Sequence, residues 1–276
     1  MSKNQALLRL RSLPVMPRIA MEILSLRIAT EEGEKALLEL IRKDPAISAK
    51  VIGLANSPAF GTTKKIVSVN DAAARLGIKR VKLTAMIFAM MAAMMRTPSG
   101  LLNAGGLWKH SLAVAMTMNA LAQYMPEDMR PMEDDLFLAG LLHDIGFLVL
   151  DSIDPVLSDS FHARLVAENG HSEEEIESAM LEMSHCELGA ELAKHWGLPQ
   201  TIIEVLRHHH HPKKKSGPMV MMACIAEKLL PTFGNPENQL PISQEEWRSI
   251  GIDPERQGEI SEMAKLHARE VAASLG

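Results

Sequence analysis

The chain has 276 residues, enough for one large or two small domains with a substantial core, so no disulfide or metal staple is required merely to fold it. Its formal net charge of −5 and sequence pI near 6.1 lack the broad basic footprint of a nucleic-acid binder, and no direct nucleic-acid contact is expected. Aromatic residues make up 4% of the chain and methionine numbers 19; Ala, Leu, Met and Glu outweigh strand formers, which favours helices.

The N-terminal stretch Met1 to Arg11 is short and amphipathic without an apolar signal core, and the longest apolar run, Ala85 to Met95, is far short of a span, so no membrane is expected. Leu13-Pro14-Val15-Met16-Pro17 reads as an extended entry, because each residue before a proline is pushed away from helix. Helices are predicted at Pro17 to Leu26, Glu31 to Arg42 behind a Thr30 cap, and Pro45 to Ala55 behind Asp44. Asn56-Ser57-Pro58 stops the last of these. A helix over Asn70 to Leu76 ends at Gly77, and a more apolar one fills Lys79 to Met95. Strict alternation appears only at Lys65 to Val69.

Thr97-Pro98-Ser99-Gly100 and Asn103-Ala104-Gly105-Gly106 form the clearest break in composition, and a boundary between two helical lobes is placed there. The expected organisation is an N-terminal lobe over 1–100, a second lobe over 105–232 and a C-terminal helical tail over 233–276. Helices in the second lobe are predicted at Leu107 to Tyr124, Met132 to Leu150, Asp154 to Glu168, Ser172 to Met183, His185 to Trp196, Gln200 to His210 and Pro218 to Leu230. Ser172 with Glu175, and Ser243 with Glu246, have capping-box spacing. Gly197 ends one helix and Pro199 opens the next, and two short helices near Gln244 to Ile250 and Pro254 to Leu275 complete an all-α chain. Cys186 and Cys224 fall in helical segments and are too few for a disulfide framework, so free thiols and a cytoplasmic location are expected.

Histidines in apolar surroundings carry the functional signal, since a polar group is costly to bury without partners. His143-Asp144 sits inside Leu141-Leu142-His143-Asp144-Ile145-Gly146, and a histidine beside a carboxylate in a buried helix needs either a hydrogen-bonded network or a metal. Along the chain come Trp108-Lys109-His110-Ser111, then the doublet, then His185, then the run His208 to His211. Separate helices that each offer an imidazole, together with a carboxylate, form a donor set suited to iron, zinc, manganese or nickel. His162, His171, His195 and His267 read as structural residues, His195 lying in a last turn where a cation suits the helix dipole. Met86, Met90, Met91, Met94 and Met95 make one apolar face and Met219, Met221 and Met222 another; these read as core, or as an adaptable docking surface. Lys213 to Lys215 read as a solvated loop.

The order His110 … His143-Asp144 resembles the HD superfamily of metal-dependent phosphohydrolases. From Leu13 to about Leu230 the chain resembles an HDOD domain protein, through the stretches LPVMPRIAMEIL, LIRKDPAISAKVIGLANSPAFG, IVSVNDAAARLGIKRVKLTAM, WKHSLAVAM, AGLLHDIGFLVL and HCELGAELAKHWGLPQTIIEVLRHHHHP. The resemblance implies an all-helical fold, an N-terminal lobe beside an HD-domain-like bundle, and a role in bacterial signalling. By position it carries the HD histidine onto His110 and the doublet onto His143-Asp144. From the related HD-GYP phosphodiesterases it carries a further metal ligand onto His185 and their paired histidines onto His209 and His210, with His208 and His211 as flanks.

The departures point away from turnover. Where HD-GYP enzymes follow the doublet with Ile-Gly-Lys, this chain has Ile145-Gly146-Phe147, and the Gly-Tyr-Pro loop is missing. The last metal-ligand aspartate of that family falls near Cys224 to Lys228, where the only carboxylate is Glu227. Two readings follow. The first is a signalling scaffold that recruits a protein partner around a degenerate HD site, with a divalent metal (Fe, Mn, Zn or Ni) at His110, His143, Asp144, His185, His209 and His210. The second is a metal-dependent phosphohydrolase acting on a nucleotide or cyclic dinucleotide.

Overall fold

Thr30, Asp44 and Ser68 each turn a side-chain oxygen onto the backbone N–H groups that open a helix, and these caps set the start of three helices in the N-terminal part of the chain. The computed structural model describes residues 2–11, 17–57, 60, 64–94, 100–168, 173–230 and 241–274. Among them are sixteen α-helices and no strand, so the chain is all-α. They group into two compact units, Pro14–Met94 with Arg269–Gly276, and Met1–Leu13 with Met95–Ala268.

The smaller unit contains α2 (Arg18–Ser25), α3 (Glu31–Arg42), α4 (Pro45–Ala55), α5 (Val69–Leu76) and α6 (Ile78–Met94). Its long apolar helix α6 packs against α2, α4 and α5, and Ile23, Leu37, Ile41, Val51, Leu54 and Val81 fill the space between them. Asn56, at the end of α4, explains part of the Ala-Asn-Ser motif. Its side chain accepts from Ile66 N at 2.8 Å and donates to Ile66 O at 2.7 Å, so one amide pins the returning chain as a strand partner would.

The larger unit holds α1 (Lys3–Arg11), α7 (Ala104–Tyr124), α8 (Glu133–Leu142), α9 (Ile145–Ile153), α10 (Pro155–Ala167), α11 (Glu173–Met180), α12 (His185–His195), α13 (Gln200–His208), α14 (Pro218–Leu229) and α15 (Gln244–Ser249); α16 spans Gln257–Ser274. Helix α7 is its axis, buried along most of its length and packed by α8 and α14, while α12 packs against α9 and α13 and is also touched by α1. Phe137, Phe147 and Phe161 are fully buried, and each such ring contributes about 2 kcal/mol by leaving water.

Three expectations change. The helix expected from Leu107 begins at Ala104: Asn103 Oδ1 accepts from Gly106 N at 2.8 Å, so Asn103 to Gly106 cap and open α7. Thr97 to Ser99 lie outside the described residues. The single helix expected over Met132 to Leu150 is two, α8 and α9, broken at His143-Asp144. The tail helix expected from Pro254 begins at Gln257, after a single 3₁₀ turn at Pro254–Arg256. The Ser243–Glu246 capping box forms, whereas Ser172 of the other lies outside the described residues. Met86, Met219 and Met222 are buried; the side chains of Met90, Met91, Met94 and Met95 are among those not described. No single helix among the described residues is long and apolar enough to cross a membrane; the α8–α9 pair reaches that length only with a bend of 40°.

Candidate metal centre

Two glycines bring the helices of the larger unit to within reach of one another. A Cβ on Gly140 would lie 2.5 Å from Ala115 Cα, so only a glycine lets α8 approach α7 and carry His143 to His110. A Cβ on Gly146 would lie 1.9 Å from the carbonyl oxygen of His185, so α9 meets the N-terminus of α12 backbone to backbone. The Ser184–Glu187 capping box fixes that N-terminus, and His185 and Cys186 occupy its first turn. Helix α13 ends at the histidine run, and α14 supplies Glu227.

Four donors converge at one end of the site. His110 Nε2 lies 3.1 Å from His143 Nε2, and Glu227 Oε2 lies 3.0 and 3.1 Å from the two. Asp144 stands between this group and a second one. Its Oδ2 is 3.3 Å from His143 Nε2 and 3.6 Å from His110 Nε2, while its Oδ1 is 3.4 Å from His209 Nε2 and 3.6 Å from His185 Nε2. His185 Nε2 and His209 Nε2 are 3.4 Å apart, and Cys186 Sγ lies 3.4 Å from the first and 3.8 Å from the second. His143, Asp144, His185 and His209 are all at most 1% exposed.

The outward nitrogens fix the rings. His143 Nδ1–H donates to Gly140 O at 2.8 Å, His209 Nδ1–H donates to Leu206 O at 3.0 Å, and His185 Nδ1–H donates to the Glu177 carboxylate at 3.0 Å. Each ring therefore turns Nε2 toward the centre, with a lone pair available in the neutral form, which is how outer-shell partners orient metal-ligating histidines.

Charge in the centre is balanced by protons on the rings. Burial opposes ionisation of Asp144 and Glu227, yet the histidines His143, His209 and His185 around the former and His110 and His143 beside the latter hold both carboxyls well below their usual range. Burial likewise disfavours the His143 cation, but Asp144 and Glu227 outweigh it and raise that ring to about 9. His185 and His209 are raised well above the usual imidazole value against burial, by Cys186 with Glu177 and with Asp144 respectively. His210 is pushed well down by burial and by its cationic neighbours His209 and His185. Burial works against ionisation of the Cys186 thiol, and the two imidazoles beside it lower it to about 6 nonetheless.

Of the residues singled out in the sequence, His110, His143, Asp144, His185 and His209 are brought together around Asp144. His210 lies at the rim, grouped with His185, Cys186 and His209 within 4.8 Å but 18% exposed and 3.6 Å from Glu174. Glu227, the only carboxylate between Cys224 and Lys228, joins His110 and His143 from α14. Cys186 and Glu177 escaped the sequence reading; the signal for Cys186 was its place beside His185 behind a Ser-x-x-Glu cap. His195 is exposed, His162 donates from Nδ1 to Ser158 O at 2.7 Å, and His171 lies outside the described residues.

The sequence matches the HDOD domain family over residues 13–212. An uncharacterized protein of Treponema pallidum (strain Nichols) is 24% identical over 195 residues, which is 70% of this chain and 37% of that protein. Among solved structures, an HDOD domain protein with unknown function from Geobacter sulfurreducens is 25% identical, with a TM-score of 0.74 over 98% of this chain and 97% of the other. A protein of Marinobacter aquaeolei named as a candidate signal transduction protein has a TM-score of 0.80 at 22% identity, covering 99% of this chain and 65% of the other. A candidate phosphohydrolase of Shewanella amazonensis has a TM-score of 0.73 at 21% identity, covering 99% and 98%. The last two likenesses are of fold. The chain thus spans just over a third of the curated relative and just under two thirds of the Marinobacter protein. Its helical order and the family match over most of its length lead to one conclusion: the chain belongs to the HDOD domain family.

Proposed function

We propose that this chain is a regulatory scaffold in which a divalent-metal centre ties the helices of the larger unit together and the outer faces recruit a signalling protein. The observation that carries the reading is the orientation of His143, His185 and His209, each anchored through Nδ1 and each presenting Nε2 to the space around Asp144. The donor set fits a metal. Donors bonded at about 2.1 Å lie about 3.0 Å apart at right angles and about 3.4 Å apart at the tetrahedral angle, and the observed spacings of 3.0 to 3.6 Å among His110, His143, Asp144 and Glu227 match those edges. Imidazole and carboxylate donors suit Fe, Mn, Zn or Ni. A bound ion would supply Lewis-acid charge there, replacing the ring protons as the counterweight to Asp144 and Glu227.

Two features support regulation over turnover. Phe147, where the resemblance to HD-GYP phosphodiesterases puts their lysine, is fully buried against His185, so the positive group that would neutralise a phosphoryl oxygen is replaced by a ring. The donors around Asp144 are nearly all buried, which leaves little surface for a substrate to meet. A phosphohydrolase acting on a nucleotide or cyclic dinucleotide is the second reading, favoured by the complete His110, His143, Asp144 set and by the fold shared with the Shewanella protein. The two are separated by measuring metal content of protein purified without a histidine tag, alongside hydrolysis of cyclic dinucleotides and phosphomonoesters. Bound first-row metal without turnover is the expected result; metal-dependent turnover lost in Asp144→Ala would overturn the scaffold reading.

A further inference from the structure

We propose that the half of the centre nearest α12 is a sulfur-containing site for a thiophilic divalent ion such as zinc, with Cys186 Sγ as a ligand beside His185 Nε2, His209 Nε2 and Asp144 Oδ1. The proposal rests on the reading that the centre holds metal, and adds which ion each half prefers. Zinc bonds nitrogen at about 2.0–2.1 Å and sulfur at about 2.3 Å, so in a tetrahedral site two nitrogens lie about 3.4 Å apart and nitrogen and sulfur about 3.6 Å apart. Here the two Nε2 atoms are 3.4 Å apart, and Cys186 Sγ is 3.4 and 3.8 Å from them. Asp144 Oδ1 faces the two imidazoles at 3.4 Å from His209 Nε2 and 3.6 Å from His185 Nε2. His210 is the neighbouring histidine of the group.

The surroundings are built for a sulfur ligand. Cys186 is buried, in a helical first turn held by the Ser184–Glu187 box, where the helix dipole favours an anionic sulfur. It is unpaired with the other cysteine: Cys224 lies on α14 with Glu246 at 4.0 Å. The opposite half, His110, His143, Asp144 Oδ2 and Glu227, offers only nitrogen and oxygen. The two halves thus differ in softness around one shared aspartate, and the sulfur half selects the thiophilic ion while the oxygen-richer half accepts manganese or iron. Ligation releases to solvent the protons held on His185 Nε2 and His209 Nε2, with any remaining on Cys186 Sγ, and changes no oxidation state.

Cobalt(II), loaded anaerobically into the tag-free full chain, is the probe. A thiolate-to-cobalt charge-transfer band in the near ultraviolet is expected in the wild type. It should be retained in Cys224→Ser and lost in Cys186→Ser, while the visible ligand-field bands persist in all three proteins. Ligand-field bands without the charge-transfer band in the wild type would overturn sulfur ligation and leave the metal centre standing. A band that survives in Cys186→Ser would also overturn it. Failure of the wild type to retain cobalt at all would overturn both the proposal and the reading beneath it.

Discussion

The ring of Phe147 lies almost flat on the imidazole of His185, with centroids 4.2 Å apart and planes 17° from parallel, and it also stacks with Phe161 at 6.0 Å. A fully buried aromatic ring thus packs directly against one of the histidines of the centre. Phe147→Lys removes a fully buried ring and buries an ammonium beside histidines already raised toward the charged form. We expect a loss of about 4 kcal/mol in denaturant titrations and no gain of phosphodiesterase activity. A stable Phe147→Lys protein that hydrolyses a cyclic dinucleotide contradicts this.

Gly146 makes the approach of α9 to α12 steric rather than chemical. Gly146→Ala sets a methyl group 1.9 Å from the His185 carbonyl oxygen, so the helices must separate; a destabilisation of about 3 kcal/mol or more is expected, together with weaker metal retention. Gly217→Ala is the control, since nothing lies within 4 Å of its added Cβ, and its effect should stay within about 0.5 kcal/mol. Similar melting curves for the two variants would show that the close approach is dispensable.

Glu177 is a positioning residue, accepting from His185 Nδ1 at 3.0 Å and from the His185 backbone N–H. Glu177→Gln keeps the shape and weakens the anchor, and outer-shell changes of this kind cost about 10- to 100-fold in metal affinity. Chelator competition should show that loss with the circular dichroism spectrum unchanged. Undiminished affinity would remove Glu177 from the account.

The same anchors explain what the sequence made legible. His110 and His143-Asp144 stand out because polar residues in apolar helices require partners, and Thr30 and Asp44 cap helices through chemistry contained within three residues. The break between α8 and α9 is hidden, because apolar residues continue across it on both sides of His143-Asp144. Asn103-Ala104-Gly105-Gly106 misleads for the opposite reason: its composition is that of a loop, yet one Asn103 cap turns it into the start of α7. Cys186 is marked in the sequence only by its place beside His185 behind the Ser184–Glu187 cap, and the fold alone brings His209 to it from α13.

His162 gives a pH dependence independent of the centre's own donors. Burial lowers its pKa, against smaller opposing effects from Ser158, Asp151 and Asp159, so the folded protein keeps the ring neutral where the unfolded chain takes up a proton. Stability is therefore retained above the unfolded value of about 6.5 and falls as pH drops through it toward the lower folded value. In urea titrations between pH 7.5 and 5, His162→Gln should lose less stability on acidification than the wild type does. Parallel slopes would assign the acid sensitivity to other groups.

Thermal melting of tag-free protein in the presence of manganese, iron, zinc or nickel tests the metal centre most directly. An ion bound only by the folded state at about 100 times its Kd adds about 2.7 kcal/mol, which for a chain of this size raises Tm by on the order of 5 °C. The account predicts such a rise with at least one of the four ions, its loss in His143→Ala, and its reduction in His110→Ala. Superimposable melting curves with and without all four ions would contradict it and leave the histidines as a hydrogen-bonded core.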